Sequence, residues 1–149
     1  VNVIDGGNLG GHIKGAVNVP LGDSAAIRAV GYYTRYAGFI DAAGPGGGEN
    51  VNDGERYGGR IALTFEPSDN LSITPRVIYQ KIEVGGFNRQ EIYNLFANRF
   101  TTTRPAVQLG EREQFLLLPE RFEDETFIAD LTVKIGLGSM DLTSVTSYI

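Results

Sequence analysis

Apolar and polar residues alternate along the chain, and the alternation is clearest within residues 57–80. Over residues 59–65 and again over residues 71–79, every second residue is apolar or small, while most residues between them are polar. Successive side chains of a β-strand point to opposite faces of a sheet, so each stretch predicts a strand with one apolar and one polar face. Residues 67–70 (Pro-Ser-Asp-Asn) are typical of a tight turn, and the whole stretch therefore predicts a β-hairpin.

The same alternation recurs on both sides of this hairpin. The further alternating stretches are residues 13–19, 25–33 and 127–135. Residues 1–4 are expected to be the end of another strand. The last stretch, residues 140–149, is less regular, because Leu142, Val145 and Tyr148 do not share a period of two. A β-bulge would explain that irregularity. We therefore expect an all-β fold, an antiparallel up-and-down meander.

The lengths of the connections between strands indicate which class of β-protein this meander belongs to. Short turns are expected near residues 20–24, 66–70 and 136–139, and long loops at about 34–56 and 81–124. Alternation of short turns with long loops is typical of transmembrane β-barrels, whereas compact soluble domains seldom contain such long unstructured connections. Strands of about ten residues tilted near 45° also cover roughly 23 Å, close to the apolar band of about 25 Å in such barrels. We favour a partial segment of a large transmembrane β-barrel, and the alternative is a soluble antiparallel β-sheet binding or adhesion module.

Composition excludes several classes of function. The formal net charge of −5 argues against a general nucleic-acid binder, which usually presents a basic face. The chain has no cysteine and one histidine, so neither a thiolate metal site nor a two-histidine site is supported. No constellation supports catalysis either, and we expect a protein that is not an enzyme and that uses no metal or cofactor.

Two further segments have a chemical and a structural interpretation. Residues 44–48 (Gly-Pro-Gly-Gly-Gly) lack the lysine and the serine or threonine that follow the glycines of a phosphate-binding loop, so we expect a flexible loop. Carboxylates cluster at Glu120 and at residues 123–125. Such clusters can bind hard cations, but a solvated charged loop is the expectation here.

Three short patterns and their order resemble the barrel of TonB-dependent receptors. They are Asn-x-Pro-Leu-x-Asp followed by Ala-x-Arg-x-x-Gly-Tyr-Tyr in residues 18–33, Asn-Asp-Gly-Glu-x-Tyr-Gly-Gly-Arg in residues 52–60, and Phe-Glu-Pro-x-Asp-Asn-Leu in residues 65–71. The resemblance extends over nearly the whole chain, through residues 86–105 to the terminal Leu-Thr-Ser-Val-Thr-Ser-Tyr-Ile.

The resemblance implies a function and a location. Receptors of this family are barrels of 22 strands closed by a plug, in the outer membrane of Gram-negative bacteria. They actively take up a scarce nutrient, such as siderophore-bound iron or a carbohydrate. The implied partners are outer-membrane lipid, the TonB energy-transducing complex acting through the plug, and a small-molecule substrate such as a metal chelate or an oligosaccharide. Residues 1–149 are then expected to be a barrel fragment without the plug and the remaining strands.

The candidate binding residues lie in the second long loop. Apolar residues at 92, 95 and 96 and Arg99 have near-helical spacing, which predicts a short helix within residues 87–100. Aromatic, amide and guanidinium side chains there suit stacking on and hydrogen bonding to a substrate, and binding residues are often on loops. The alternative is that this segment only folds the loop back on the strands. The candidate substrate-binding residues are Phe87, Asn88, Arg89, Tyr93 and Asn94.

The hairpin alternation also predicts which side chains face lipid. Leu63 and Ile73 belong to the apolar set and are expected to point outward. The residues expected to point toward the lumen are Arg60, Thr64, Thr74 and Arg76.

Overall fold

A computed structural model describes residues 1–91 and 107–149, and within them it contains β-strands and no helix. The strands are β1 (Asn2–Val3), β2 (Leu9–Pro20), β3 (Ala25–Tyr36), β4 (Asp41–Ala43), β5 (Gly54–Ser68), β6 (Leu71–Val84), β7 (Glu113–Phe115), β8 (Phe122–Gly136) and β9 (Asp141–Tyr148). Seven of them form one antiparallel sheet in the order β1-β2-β3-β5-β6-β8-β9. The expected all-β antiparallel meander is therefore confirmed, as an open sheet.

The described residues include no helix that is long and apolar enough to cross a membrane.

The strands are longer at their ends than the alternation predicts. β2 begins at Leu9, ahead of the predicted stretch 13–19, and β5 continues through Pro67 to Ser68. The turn of the central hairpin is thereby reduced to Asp69 and Asn70. Asn70 O accepts a hydrogen bond from Gly136 N at 2.8 Å, so this turn is tied to the end of β8.

The pairing of β8 with β9 corrects the expected bulge. The register is one-to-one from Gly136↔Asp141 to Ala129↔Tyr148, without an extra residue in either strand. Leu142 and Tyr148 therefore share a face with Leu131, whereas Val145, opposite Thr132, belongs to the other face. The irregular apolar spacing of β9 reflects one valine on the polar face of the sheet.

The chain divides into two compact units. The first, called the connection unit, consists of Val1–Gly11, Thr34–Glu55 and Ile82–Glu123. The second, called the strand unit, consists of His12–Tyr33, Arg56–Lys81 and Asp124–Ile149. The three short turns lie in the strand unit, and the long connections between β3 and β5 and between β6 and β8 lie in the connection unit.

The long connections contain structure that the sequence pattern does not predict. β4 and β7, one from each connection, pair in parallel with Asp41 opposite Glu113 and Ala43 opposite Phe115. The stretches outside strands are therefore shorter than the expected loops 34–56 and 81–124. Three-residue strands are too short for a period-two pattern to be visible, which explains why both were missed.

Residues 44–48 form a hydrogen-bonded turn beside β4 rather than a flexible loop. Gly46 N donates to Leu116 O at 3.0 Å, Gly48 N donates to Ala42 O at 2.9 Å, and Gly47 N donates to Gly44 O at 3.1 Å. These amides point at protein carbonyls and are not available to a phosphate group. A Cβ on Gly47 would lie 2.0 Å from Ala42 O, so this close approach requires glycine.

The connection unit buries apolar residues, and the strand unit does not. The buried hydrophobic side chains among the described residues are Ala37, Ile40 and Leu116, all in the connection unit. In the strand unit the buried residue with a polar or charged side chain is Asp130, which is 8% exposed. The strand unit therefore has no hydrophobic core of its own within the described residues.

The polar face of the strand unit is held together by side-chain contacts between strands. Arg28 donates to Asn18 at 2.8 Å, and Arg76 Nε lies 2.8 Å from Asp130 Oδ2. Tyr32 on β3 reaches across β5 and donates to Gln80 on β6 at 2.8 Å. This bond passes over Gly58, where a Cβ would be 2.9 Å from the tyrosine hydroxyl, so the glycine gives the tyrosine its path.

The opposite face of the strand unit carries large apolar side chains that remain exposed. They are Ile13, Val17, Val19, Tyr33, Ile61, Phe65, Val77, Phe127, Leu131, Leu142 and Tyr148. Ile61, for example, is 58% exposed. Leu63 and Ile73 belong to this face by alternation, and Arg76, paired with Asp130, belongs to the other.

We predict that Gly47→Ala destabilises the protein by about 1–3 kcal/mol, the usual cost of forcing atoms into a packed site. The added methyl would meet the Ala42 carbonyl, and the turn would have to move away from β4. Gly48→Ala is the matched control, because its Cβ would meet only Val51 Cγ1 at 3.8 Å. Chemical denaturation measures both variants, and an equal loss of stability would contradict the close-approach explanation.

Candidate functional site

Three of the five candidate binding residues lie where the structure describes the chain. Phe87, Asn88 and Arg89 follow β6 in the connection unit and are exposed. Tyr93 and Asn94 lie outside the described residues. The helix expected within residues 87–100 is absent from residues 87–91, and its remaining positions also lie outside the described residues.

Phe87 contacts the other end of the same long connection. Its ring centroid is 6.4 Å from that of Phe122, with the planes tilted by 48°. This distance is within the range of favourable aromatic pairs. Both rings also keep a large free surface, since Phe87 is 53% exposed and Phe122 is 44% exposed. The pair can therefore present an apolar surface to a ligand while holding residues 87 and 122 together.

Asn88 contacts the first long connection through a buried asparagine. Its Oδ1 accepts a hydrogen bond of 2.7 Å from Asn52 Nδ2. Asn52 is 3% exposed, and its Oδ1 accepts from Phe39 N and from Ile40 N, both at 2.8 Å. Asn52 thus satisfies two backbone donors of one connection and one side chain of the other.

Arg89 pairs with Glu120. Its Nη2 lies 3.1 Å from Glu120 Oε1 and 3.0 Å from Oε2. The two side chains are 45% and 33% exposed, so water screens the pair and its contribution to stability is small. Glu120 was expected to be a solvated member of an acidic cluster, and the structure shows it partly engaged in this contact.

The arrangement brings together Phe87, Asn88 and Arg89 with two residues that the sequence did not single out as partners, Phe122 and Asn52. We call Phe87, Asn88, Arg89, Glu120 and Phe122 the connection patch. Asn52 is within the Asn-Asp-Gly-Glu pattern, yet nothing local reveals its role, because its partners are 12, 13 and 36 positions away. Only the pairing of both connections makes it visible.

The chemistry of the connection patch suits recognition. It offers two aromatic rings, an amide, and a guanidinium held by a carboxylate. The described part of the chain contains no group of three or more histidine, cysteine, aspartate or glutamate side chains placed to hold a metal ion. Such a surface can bind a molecule by stacking and hydrogen bonding.

Comparisons with protein-family models, with curated proteins and with solved structures give no match to this chain. Its function is therefore inferred from the placement of its own residues.

We predict that Asn52→Ala destabilises the protein more than Arg89→Ala does. The alanine leaves the buried Ile40 N–H and the part-buried Phe39 N–H without their acceptor, and an unsatisfied buried group costs about 1–3 kcal/mol. Losing the exposed Arg89–Glu120 pair should cost about 0–1 kcal/mol. The free energy of unfolding, measured by denaturant titration, checks the order of the two variants. A larger loss for Arg89→Ala would show that Asn52 does not hold the connections together.

Proposed function

We propose that this chain is part of an outer-membrane TonB-dependent receptor that takes up a scarce nutrient. The observation that carries the proposal is the distribution of side chains in the strand unit. Most of its large apolar side chains are exposed on one face, whereas the Arg76–Asp130 ion pair and the Arg28–Asn18 and Tyr32–Gln80 hydrogen bonds lie on the other. A soluble single domain normally does the reverse and covers its apolar side chains.

Lipid provides the covering that the described residues lack. In a membrane barrel, strands alternate between an apolar side chain toward the acyl chains and a polar one toward the lumen. The exposed aliphatic residues, such as Val17, Ile61 and Val77, then face lipid. The Arg76–Asp130 pair, in which the Asp130 side chain is 4% exposed, then lies on the lumen side and away from hydrocarbon.

The connection patch supports a role in substrate capture. Loops often carry binding residues, and Phe87, Asn88 and Arg89 lie in the connection that follows β6. A metal chelate or an oligosaccharide offers both flat surfaces and oxygen atoms for these side chains. The TonB complex would act through parts of such a receptor other than residues 1–149.

One observation favours the alternative, a soluble binding or adhesion module. The long connections pair with each other through β4 and β7, so they are not the structureless loops that soluble domains avoid. The two proposals differ in what covers the apolar face: lipid in the first, another protein surface in the second. Sedimentation with and without detergent separates them. Dependence on detergent supports the receptor, and a monodisperse monomer in plain buffer would refute it.

We predict that Leu63→Arg in the full-length receptor lowers the amount that assembles in the outer membrane, while Thr64→Arg is tolerated. The two positions are adjacent on β5 and belong to opposite faces. An arginine facing lipid near the bilayer midplane costs about 2–4 kcal/mol. Heat-modifiable gel mobility of the membrane fraction measures assembly. Equal levels of the two variants would contradict this assignment of faces.

We predict that Phe87→Ala weakens substrate binding about fivefold without reducing assembly, because the exposed ring supplies stacking surface worth roughly 1 kcal/mol. Uptake of ferric chelates and of oligosaccharides by cells producing the receptor measures the effect. Leu118→Ala is the control, since Leu118 is an exposed apolar residue of the same unit outside the connection patch. Normal uptake by the Phe87→Ala receptor would exclude the ring from the binding surface.

A further inference from the structure

The orientation of the Asn52 side-chain amide follows from its neighbours. One atom of this amide lies 2.8 Å from both Phe39 N and Ile40 N, which are donors. That atom must therefore be the oxygen, because an amide NH2 cannot accept a hydrogen bond. The NH2 group of Asn52 is consequently the one directed at Asn88.

The orientation of Asn88 follows in turn. The atom that faces the Asn52 NH2 group at 2.7 Å must be an acceptor, so it is Oδ1 of Asn88. Oδ1 is then occupied inside the protein, and Nδ2 is the end of the amide left for solvent or a ligand. Asn88 itself is exposed.

We infer that Asn52 is a positioning residue that determines binding specificity: it holds Asn88 with its NH2 group outward, so that Asn88 acts as a hydrogen-bond donor to a ligand. The role in specificity rests on the proposed function, because it requires that a ligand binds the connection patch. These hydrogen bonds form a series that runs from the backbone to Asn52 and on to Asn88. Its direction is fixed, because the backbone N–H groups of Phe39 and Ile40 can only donate.

The neighbours of Asn88 define the ligand chemistry further. The Arg89 guanidinium is also purely a donor, and the Glu120 carboxylate beside it is already paired. The Phe87 and Phe122 rings supply an apolar surface. The connection patch therefore selects a flat apolar surface that carries an accessible acceptor oxygen, and it discriminates against a ligand that can only donate.

Two isosteric substitutions reverse this polarity in different ways. In Asn52→Asp the carboxylate still accepts from Phe39 N and Ile40 N, but it can no longer donate, so Asn88 must turn its NH2 group inward and expose its oxygen. In Asn88→Asp the inner oxygen still accepts from Asn52, and the outer group becomes an acceptor. Asn50→Asp adds the same charge to the same connection, with no hydrogen bond to Asn88 among the described contacts, and is the control.

The test uses two neutral aromatic probes, acetophenone, which only accepts hydrogen bonds, and indole, which only donates. Their dissociation constants are measured by chemical-shift titration of the isotope-labelled protein in detergent micelles. We expect the ratio of the two constants to change about fivefold in favour of indole in both Asn52→Asp and Asn88→Asp, and to stay unchanged in Asn50→Asp. If Asn52 had only a structural role, Asn52→Asp would weaken the binding of both probes equally. An unchanged ratio of the two dissociation constants in Asn52→Asp would therefore overturn the inference.

A second measurement separates this inference from the proposed function. Exchange of the Asn88 side-chain NH2 protons with water is followed in the ligand-free protein. Rapid exchange in the natural protein and slow exchange in Asn52→Asp support the orientation, and the opposite order overturns it. If neither probe shifts the signals of residues 87–89, the connection patch is not a ligand surface, and the exchange rates still decide the orientation.

Discussion

A single sheet with aliphatic side chains on one face is stable only when something apolar covers that face. Each square ångström of apolar surface left in water forgoes about 25 cal/mol, so exposed residues such as Ile61 and Phe65 are a large unfavourable term in plain solvent. The polar face cannot compensate, because hydrogen bonds such as Tyr32–Gln80 contribute only about 1 kcal/mol each. Whatever covers this face therefore contributes strongly to the stability of the strand unit.

Among the described residues, the connection unit, unlike the strand unit, buries apolar side chains of its own. It has its own small buried set, Ala37, Ile40 and Leu116. Its two connections are joined by the β4–β7 ladder, by further backbone hydrogen bonds and by Asn52. Hydrogen bonds between backbone groups and close glycine contacts add to this small apolar set. Phe87, Asn88 and Arg89 are each held by a contact with a defined partner within this unit, as suits residues of a recognition loop.

The strand pattern could be derived from the sequence because it is local. Alternation over residues 57–80 needs only neighbouring residues, and the hairpin appears where it predicts. The pairings of the long connections depend on residues far apart in the chain, as in Asp41 with Glu113 and Asn52 with Asn88, and no period reveals them. For the same reason Phe87, Asn88 and Arg89 could be proposed together as neighbours in sequence, but the contacts of Asn88 with buried Asn52 and of Arg89 with Glu120 could not be foreseen. In β9 the register with β8 decided the facing of Val145, which composition left ambiguous.

The parallel ladder between β4 and β7 has a consequence for the order of folding. Its strands are about seventy residues apart in the chain, and the long strands β5 and β6 lie between them in sequence. Closing so long a segment costs chain entropy that three residue pairs repay poorly, whereas each hairpin closes over a few residues. The ladder should thus form after the hairpins and open before them under mild destabilisation. Newly made chains would pass through a stage in which the hairpins have formed while the surface around Asn88 has not.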